Sequence, residues 1–370
     1  MSTIKEEVVC YAKEIGLDLI GFTTPEPFDR LLHELDERAA HYQERFAYRI
    51  ERWQTMAQPR KALAGAQSVV VLGFFYLTPD SPAPPHSARV ARIVSYGHLG
   101  ILKRARLMRA FLKKKGYQAI IGAHRKEAAV RAGLGGIGKH NLVMNPKYGS
   151  WVAYQTIVTD AAMEPDTPFT EDPCGTCDLC LKACPTSALY APRRLDPRKC
   201  VAYMLTSEQV PEEHFPALNN YILGCDACQD ACPKNKGIQP KPKVENLLPE
   251  ILQGCPPLRN LVHMSEDVFQ RQVITPITEK MTSRSFLARL MKNRLIRGIL
   301  QKLMTTLFKG KEVLPETFVH ASQNLEIYRR NAVIALGNLG DPAMLEEVRS
   351  LKDDPYLRPY AAWAERKLER

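Results

Sequence analysis

The pattern of apolar and polar positions changes period several times along the first part of the chain. The segment VVCYAKEIG has helical apolar spacing and leads into the short strand-like run DLIGF. Residues 68–77, SVVVLGFFYL, form a continuous apolar run of strand length that is rich in β-branched side chains. The runs YQAII and WVAYQTIVT (151–159) predict two further strands.

An amphipathic helix is predicted over residues 101–116, basic along one side and ended by Gly116. Together these segments predict an α/β domain over residues 1–165, with a mixed sheet. Residues 166–245 differ, because they hold eight cysteines, many prolines and only short elements. Residues 246–370 are helical in pattern almost throughout. The chain is therefore predicted to have three domains.

The last part of the helical region predicts a repeat. The segment that begins YRRNAVIALGNLGD contains three helical stretches separated by Gly-Asp-Pro and Asp-Asp-Pro. The first and third share an Arg…Ala-x-x-Ala pattern about 30 residues apart, which is typical of HEAT repeats. One or two repeats cannot bury an apolar face alone, so we expect them to pack on the preceding domains.

Composition and charge narrow the class of protein. The hydrophobic content of 45% is ordinary for a globular chain, and no apolar run reaches the roughly 18 residues of a membrane span. The N-terminus carries acids within an amphipathic pattern, unlike a secretory signal, so we expect a cytoplasmic protein. The net charge of +11 favours a polyanionic partner such as RNA or DNA, although charge alone is weak evidence.

Residues 284–311 concentrate this charge. They hold eight Lys or Arg, no acid, and apolar positions at helical spacing. The pattern suits an RNA-binding surface, a helix lying on a membrane surface, or a solvated basic face without a partner. We favour RNA, because each phosphate contact releases counterions.

A glycine-rich segment, AVRAGLGGIGKHN, fits GxGxxG with Gly133, Gly135 and Gly138. A dinucleotide-binding turn needs a strand before it and an acid roughly 20 residues later; here a helical pattern precedes it and no acid follows. A phosphate loop needs Ser or Thr after its Gly-Lys, but His140 follows Lys139. Two interpretations remain: a turn whose backbone approaches a ligand closely, or a tight turn without one.

Eight of the ten cysteines fall into ferredoxin-like groups. The first group follows the C-x2-C-x2-C-x3-C-P spacing of bacterial ferredoxins, with members Cys174, Cys177, Cys180 and Cys184. The second group has the same ending and one cysteine fewer, with members Cys225, Cys228 and Cys232. In such runs the last cysteine ligates the other cluster, and Cys200 is the nearby candidate for the missing ligand.

This spacing predicts two [4Fe–4S] clusters. The first would be held by Cys174, Cys177, Cys180 and Cys232. The second would be held by Cys184, Cys200, Cys225 and Cys228. Structural zinc is the alternative for C-x2-C pairs, but the longer run is specific for iron–sulfur clusters. Cys10 is predicted to be a small buried hydrophobe of the first helix, and Cys255 is unassigned.

A family resemblance is carried by the segments RAGLGGIGKHNLVMNPKYGSW, EPDTPF, CGTCDLCLKACPTSAL, CVAYML and GCDACQDACPKNK. They resemble the cobalamin-dependent epoxyqueuosine reductases, and YAKEIGLDLIGFTT and RRNAVIALGNLGD extend the similarity over most of the chain. The cluster motifs are shared with any double-cluster ferredoxin, whereas AGLG-x-x-GK-H followed by Tyr-Gly-Ser is far more restrictive. Corrinoid reductive dehalogenases are similar in the same core.

The resemblance implies a nitroreductase-like cobalamin-binding domain, a ferredoxin-like domain and a HEAT-like tail that helps to hold tRNA. Cobalamin would lie between the glycine turn and the second cluster with its lower base detached, and would remove the epoxide oxygen of epoxyqueuosine in tRNA. A low-potential donor such as a flavodoxin or ferredoxin would supply electrons, and we expect a monomer. The residues implied in cobalamin binding are Gly133, Gly135, Gly138, Lys139, His140, Tyr148 and Ser150.

The match breaks where the substrate would bind. The family's proton-donor aspartate falls on Ala119, and residues 117–126 contain no carboxylate. The family's Asp-Tyr-His before the basic helix is also missing from SYGHLGILKRAR. His124 is the predicted proton donor, because an unperturbed imidazole titrates near pH 6.5, and Glu127 lies one helical turn later.

Two hypotheses follow. The first is an epoxyqueuosine reductase, or a paralogue that reduces another substrate with the same cofactors. The second is an iron–sulfur protein that passes electrons to a corrinoid and performs no substrate chemistry. The positive charge and the tail favour the first hypothesis, and the missing aspartate favours the second or a paralogue.

Overall fold

The computed structural model describes residues 3–39, 47–80, 82–277 and 324–369. The basic segment 284–311 lies outside the described residues. Within the described part of the chain, no helix is long and apolar enough to cross a membrane.

Ten strands and fourteen α-helices are described, numbered in chain order. The strands are β1 (Leu19–Thr23), β2 (Ser68–Phe75), β3 (Arg89–Val90), β4 (Ala119–Ile121), β5 (Gly136–Ile137), β6 (Val143–Met144), β7 (Val152–Thr159), β8 (Leu189–Ala191), β9 (Arg194–Leu195) and β10 (Tyr221–Leu223). The helices are α1 (Ile4–Glu14), α2 (Asp29–Ala39), α3 (Ala47–Met56), α4 (Pro59–Ala62), α5 (His98–Lys114), α6 (Arg125–Arg131), α7 (Leu179–Lys182), α8 (Val201–Met204), α9 (Ala227–Asp230), α10 (Leu258–Val262), α11 (Glu266–Phe269), α12 (Leu325–Leu339), α13 (Leu345–Ser350) and α14 (Arg358–Leu368). Short 3-10 segments span Glu212–Leu218, Pro233–Asn235, Glu250–Leu252, Pro342–Met344 and Leu351–Asp353, and π-helical turns span Ile93–Gly97 and Gln270–Ile274.

The main sheet has the strand order β1-β2-β7-β4. β2 and β7 pair along their whole length, from Ser68 opposite Thr159 to Phe75 opposite Val152. All three pairings are antiparallel, so the prediction of a mixed sheet is wrong. The continuous apolar run of β2 is typical of parallel strands buried on both faces; here every residue of an antiparallel strand is buried, so its sequence cannot reveal its direction.

The first hydrophobic core lies around this sheet. Helix α5 contributes the stripe Ile101, Ala105, Met108 and Leu112, which has the helical spacing read from the sequence. Cys10 is exposed rather than buried, contrary to prediction, and its Sγ lies 3.7 Å from Glu14 Oε1. The buried face of α1 holds Val8 and Ala12. A residue two positions from Val8 points away from that face, because successive helical residues are about 100° apart.

The second core joins four separate stretches of the chain, namely 88–102, 201–223, 248–277 and 328–368. The described C-terminal helices therefore bury their apolar faces against earlier segments, as the short repeat pattern predicted.

Two polar side chains of α12 complete this packing. The guanidinium of Arg330 is buried and donates to the carbonyls of Ser207 (2.6 Å) and Glu208 (2.9 Å). The amide of Asn331 donates to the carbonyls of Leu205 (2.8 Å) and Ile222 (3.0 Å). This Arg330–Asn331 clamp binds α12 to the segments that follow Cys200 and precede Cys225.

Candidate active site

The structure brings the eight grouped cysteines into one region, and the assignment of each cysteine to a cluster stays a prediction. Burial raises the pKa of Cys180 to about 11, and the neighbouring thiols that raise it further are Cys174, Cys232 and Cys177. Burial also raises the pKa of Cys228 strongly, and the neighbouring thiols that add to the shift are Cys225, Cys200, Cys180 and Cys184. The two groups therefore adjoin at Cys180. Cluster insertion must displace these thiol protons, because thiolates are the ligands of iron.

Spacing within the groups distinguishes a cluster from a single ion. Among the residues that the structure describes, no three His, Cys, Asp or Glu side chains converge closely enough to hold one metal ion. Zinc ligands converge on one atom, whereas a cubane cluster is a larger body whose thiolates stand farther apart. The preference for iron–sulfur clusters over zinc rests on the C-x2-C-x2-C-x3-C-P spacing of the sequence.

The glycine turn makes its close approaches within the protein. Gly133 has φ +70° at the end of α6, and a Cβ there would lie 2.5 Å from the carbonyl oxygen of Thr167. Gly135 has φ +147°, and a Cβ there would lie 2.2 Å from the carbonyl oxygen of Met144. A Cβ on Gly138 would lie 2.9 Å from both the His140 ring and the Met144 side chain. These contacts explain the glycines without a ligand, and their role in cobalamin binding stays a prediction.

The same turn is hydrogen-bonded to the cysteine-rich region. The backbone N–H of Lys139 donates to Sγ of Cys174 at 3.3 Å. The carbonyl of Lys139 accepts from the backbone N–H of Arg193 at 2.9 Å, and the Arg193 Nε donates to the carbonyl of Ile137 at 2.9 Å. The turn is thus bound to the cysteine group predicted for the first cluster.

A buried polar network forms a second link between the sheet and the cysteine region. The Ser150 backbone N–H donates to Asn235 Oδ1 at 2.9 Å, and its hydroxyl accepts from Asn235 Nδ2 at 2.8 Å and Gln229 Nε2 at 3.0 Å. A Cβ at Gly149 would lie 2.2 Å from Asn235 Oδ1. Tyr148 stacks on Phe75 with ring centroids 4.6 Å apart. The proposed contacts of Tyr148 and Ser150 with cobalamin stay predictions.

A cavity of ≈ 90 Å³ opens beside the glycine turn. It lies among α2, α3, the first turn of α6, and Arg193, which precedes β9. Its polar lining consists of Arg30, Glu34, Arg38, His124, Lys126, Glu127, Asn141 and Arg193. The first turn of α6 is held in place because the backbone N–H of His124 donates to the carbonyl of Met56 at 2.9 Å.

Three buried side-chain nitrogens in this region have no hydrogen-bond partner among the described residues: Arg38 Nε, His124 Nδ1 and His140 Nε2. Arg38 and His124 line the cavity, and His140 precedes its lining residue Asn141. His140 Nδ1 accepts from the Leu142 backbone N–H at 3.1 Å, so Nε2 carries the hydrogen and is an unmet donor. Buried polar groups normally have partners, and a polar ligand or an ordered water in the cavity would satisfy these atoms.

Burial changes the proton chemistry of the cavity. The pKa of His124 lies well below 6.5 because of burial and, secondarily, Lys126 and Arg125. His124 is therefore neutral at working pH, and the ordinary pKa on which its predicted role rested does not hold. Burial lowers the pKa of Lys126 to about 8. Burial raises the pKa of Glu127, although its ion pair with Arg30 opposes the shift.

Several cavity residues carried no recognisable signal in the sequence. The polar face of α2 carries ordinary i, i+4 ion pairs, formed by Arg30, Glu34 and Arg38. Lys126 was part of a helical pattern before the glycines. Only the packing of distant segments shows that these charges share one cavity.

These features define an iron–sulfur protein in which two cysteine groups adjoin a glycine turn and a polar cavity. Residues 173–235 match the family model described as a 4Fe-4S double cluster binding domain. The match includes all eight grouped cysteines.

The epoxyqueuosine reductase of Bacillus subtilis (strain 168) is 32% identical over 367 residues, covering 93% of this chain and 90% of that protein. A crystal structure of epoxyqueuosine reductase with a tRNA-Tyr epoxyqueuosine-modified stem loop is similar at a TM-score of 0.68, with 28% identity and 99% of both chains covered. A Bacillus subtilis structure whose aspartate-containing catalytic loop is swung out of the active site has a TM-score of 0.66, 28% identity and the same coverage. The chain belongs to the epoxyqueuosine reductase family.

The family's aspartate has no counterpart at the predicted position. Ala119 is buried as the first residue of β4 and pairs with Thr159 of β7. This position lies in the main sheet, and the side chain is a methyl group.

Proposed function

We propose that this protein reduces epoxyqueuosine to queuosine in tRNA, using two [4Fe–4S] clusters and cobalamin. The observation that carries the proposal is the family relationship over 93% of the chain, joined to both cysteine groups. The solved relative bound to an epoxyqueuosine-modified stem loop supports tRNA as the substrate.

The parts of the chain take separate roles in this proposal. Residues 1–165 form a nitroreductase-like cobalamin-binding domain, 166–245 a ferredoxin-like domain, and 246–370 a helical region ending in HEAT-like repeats that helps to hold tRNA. A low-potential donor such as a flavodoxin or ferredoxin supplies the electrons. The protein acts as a cytoplasmic monomer.

The residues at the glycine turn fit a polar cofactor, because the unmet Nε2 donor of His140 suits an amide or phosphate oxygen. When bound, cobalamin supplies the metal centre that receives electrons and acts on the epoxide. The residues proposed to hold it are Gly133, Gly135, Gly138, Lys139, His140, Tyr148 and Ser150. The cavity of ≈ 90 Å³ beside the turn is proposed to receive the reacting end of the substrate.

The proposal is tested by reconstituting the protein anaerobically and supplying epoxyqueuosine tRNA, cobalamin and a low-potential reductant. We expect about eight irons per chain, base-off cobalamin spectra and queuosine in the digested tRNA. The Cys255→Ala variant is the matched control, because this cysteine belongs to neither group, and it should retain iron and turnover. Full iron and cobalamin loading without queuosine would contradict the proposal.

A second function is favoured by one observation, the methyl group of Ala119 at the family's aspartate position. In that case the protein transfers electrons to a corrinoid held by a partner, or reduces another substrate. Reduction of added corrinoid with no queuosine formed would support electron transfer.

Binding of tRNA gives an independent test. The affinity should fall steeply with salt concentration, because each phosphate contact releases counterions. Arg294→Glu with Arg297→Glu, which lie outside the described residues, should weaken tRNA binding and flatten this salt dependence. A tRNA affinity that does not change with salt concentration, or a preference for anionic vesicles over tRNA, would contradict a tRNA-binding role for this segment.

A further inference from the structure

The proposed reaction needs protons that the family's aspartate does not supply here. Removing the epoxide oxygen as water breaks two C–O bonds, forms a carbon–carbon double bond, and consumes two electrons and two protons. The low-potential donor supplies the electrons through the clusters. A group in the cavity must deliver at least the first proton, because an alkoxide is a poor leaving group without one.

Lys126 reaches the cavity from the first turn of α6. Its Nζ donates to the Asn141 side-chain oxygen at 2.8 Å and to the Asn141 carbonyl at 3.1 Å. An ammonium has three N–H groups, so these two bonds leave one donor for a ligand. Asn141 has a left-handed backbone conformation, with φ +65°, and both of its oxygens accept from Lys126.

Among the described lining residues, the other ionisable groups are occupied or unsuited. Glu127 is paired with Arg30, which also pairs with Glu34 at 2.6 Å. His124 is neutral at working pH because burial holds its pKa well below 6.5. The arginines cannot release a proton in this range. Among the described residues, the Lys126 ammonium donates to both oxygens of Asn141 and to no carboxylate.

We propose that Lys126 is the proton donor of this site, transferring a proton from its ammonium to the epoxide oxygen as the first C–O bond breaks. The second proton comes from solvent, the oxygen leaves as water, and solvent reprotonates the amine. Asn141 is a positioning residue that orients the ammonium. This inference rests on the proposed function.

Burial lowers the pKa of Lys126 towards the range that suits a proton donor. A lysine exposed to water stays charged far above neutral pH, whereas burial lowers the pKa of Lys126 to about 8. At pH 7 the ammonium is therefore still protonated and gives up its proton more readily than an exposed lysine. Glu127 raises the pKa of Lys126, and Arg38 and Arg125 lower it, so the net shift follows from burial.

The test compares Lys126→Met and Lys126→Arg with the wild type in single-turnover reactions. Methionine removes the proton, and arginine keeps the charge but cannot release a proton. We expect both variants to form queuosine about 10²–10⁴-fold more slowly, with unchanged iron and cobalamin contents. The wild-type rate should be constant below about pH 8 and fall above it, because deprotonated Lys126 cannot donate. Both variants should lose this fall.

Two further measurements separate chemistry from structure. Added ethylamine should partly restore the rate of Lys126→Ala, which a purely structural defect would not allow. In protein without substrate, ¹³C NMR of labelled lysine side chains should show one resonance titrating near pH 8 that is absent from Lys126→Met. Lys367→Met, on the exposed face of α14, is the matched control and should behave as the wild type.

The outcomes are distinguishable. A wild type that forms no queuosine overturns the proposed function and with it this role of Lys126. An active wild type whose rate and pH profile survive Lys126→Met overturns the role of Lys126 alone. A Lys126 resonance that titrates near pH 10.5, as in an exposed lysine, also overturns it.

Discussion

The cysteine region and the cavity lie side by side in this protein, yet they are encoded differently. The cysteine groups sit on short loops, and their spacing is imposed by the fixed shape of a cluster. The cavity draws its lining from α2, α3, α6, the glycine turn and Arg193, and its chemistry follows from burial. The spacing of cluster ligands can be recognised in the sequence, because the cluster has a fixed shape. The altered pKa values of the cavity residues cannot, because they arise from burial in the folded protein.

The largest expected effect tests the cysteine region. Cys200→Ala should remove one ligand of the second cluster, so the iron content should fall below about eight per chain or a three-iron signal should appear. Queuosine formation should cease, because electrons could no longer pass. Iron analysis and electron paramagnetic resonance measure this. An unchanged iron content and spectrum would show that Cys200 is not a ligand. It would also contradict the view that the cluster ligands can be recognised from the sequence.

The next effect tests burial at the glycine turn. His140 has its pKa lowered to about 4 by burial, against about 6.5 when unfolded. Between these values the unfolded chain binds the extra proton, so folding stability should be lost as the pH falls from 6.5 to 4. In the His140→Asn variant, the free energy of unfolding should fall less between pH 6.5 and pH 4, by up to about 3 kcal/mol at pH 4. Urea unfolding at several pH values measures it.

The control for that experiment is His33→Asn, because His33 is largely exposed on α2. This variant should keep the wild-type dependence of unfolding free energy on pH. If His140→Asn also keeps it, the histidine is protonated or solvated in the folded protein, and burial does not set its chemistry.

A smaller effect is expected at the link between the two regions. Asn235→Leu leaves the buried Ser150 N–H without its partner and removes one of the two donors to the Ser150 hydroxyl, so the free energy of unfolding should fall by about 1–3 kcal/mol. Denaturant unfolding measures this, and Asn260→Leu, at an exposed position of α10, is the control. Equal stability of the two variants would show that the network does not couple the regions.

The smallest effect is expected for His124→Ala. Its imidazole is neutral near pH 7, so it cannot act as a cationic acid, and single-turnover rates should fall less than tenfold. A hundredfold loss with normal iron and cobalamin would instead restore His124 as the proton donor and count against Lys126.

Sequence patterns predicted much of the fold for clear physical reasons. The buried runs of β2 and β7 and the stripe of α5 follow apolar periodicity, which burial requires. Strand direction was missed because an antiparallel strand covered on both faces has the same pattern as a parallel one. Cys10 was misplaced by about half a helical turn.

Some features of the site could be predicted from the sequence and others could not. Spacing predicted two cysteine groups, and the structure brings their eight members into one region. The sequence left open whether the glycine turn approaches a ligand, and in the structure Gly133 and Gly135 make room for the carbonyls of Thr167 and Met144. The altered pKa of Lys126 had no sequence signal, because it depends on segments that meet only after folding.

The Arg330–Asn331 clamp also has a consequence for how the protein is made. The carbonyls that it holds lie just after Cys200 and just before Cys225, so the frame for the second cluster includes residues from the end of the chain. A ribosome releases α12 long after both cysteines have emerged. The second cluster should therefore become stable only after α12 has been synthesised, and truncation before Arg330 should yield a chain that loses its iron during maturation.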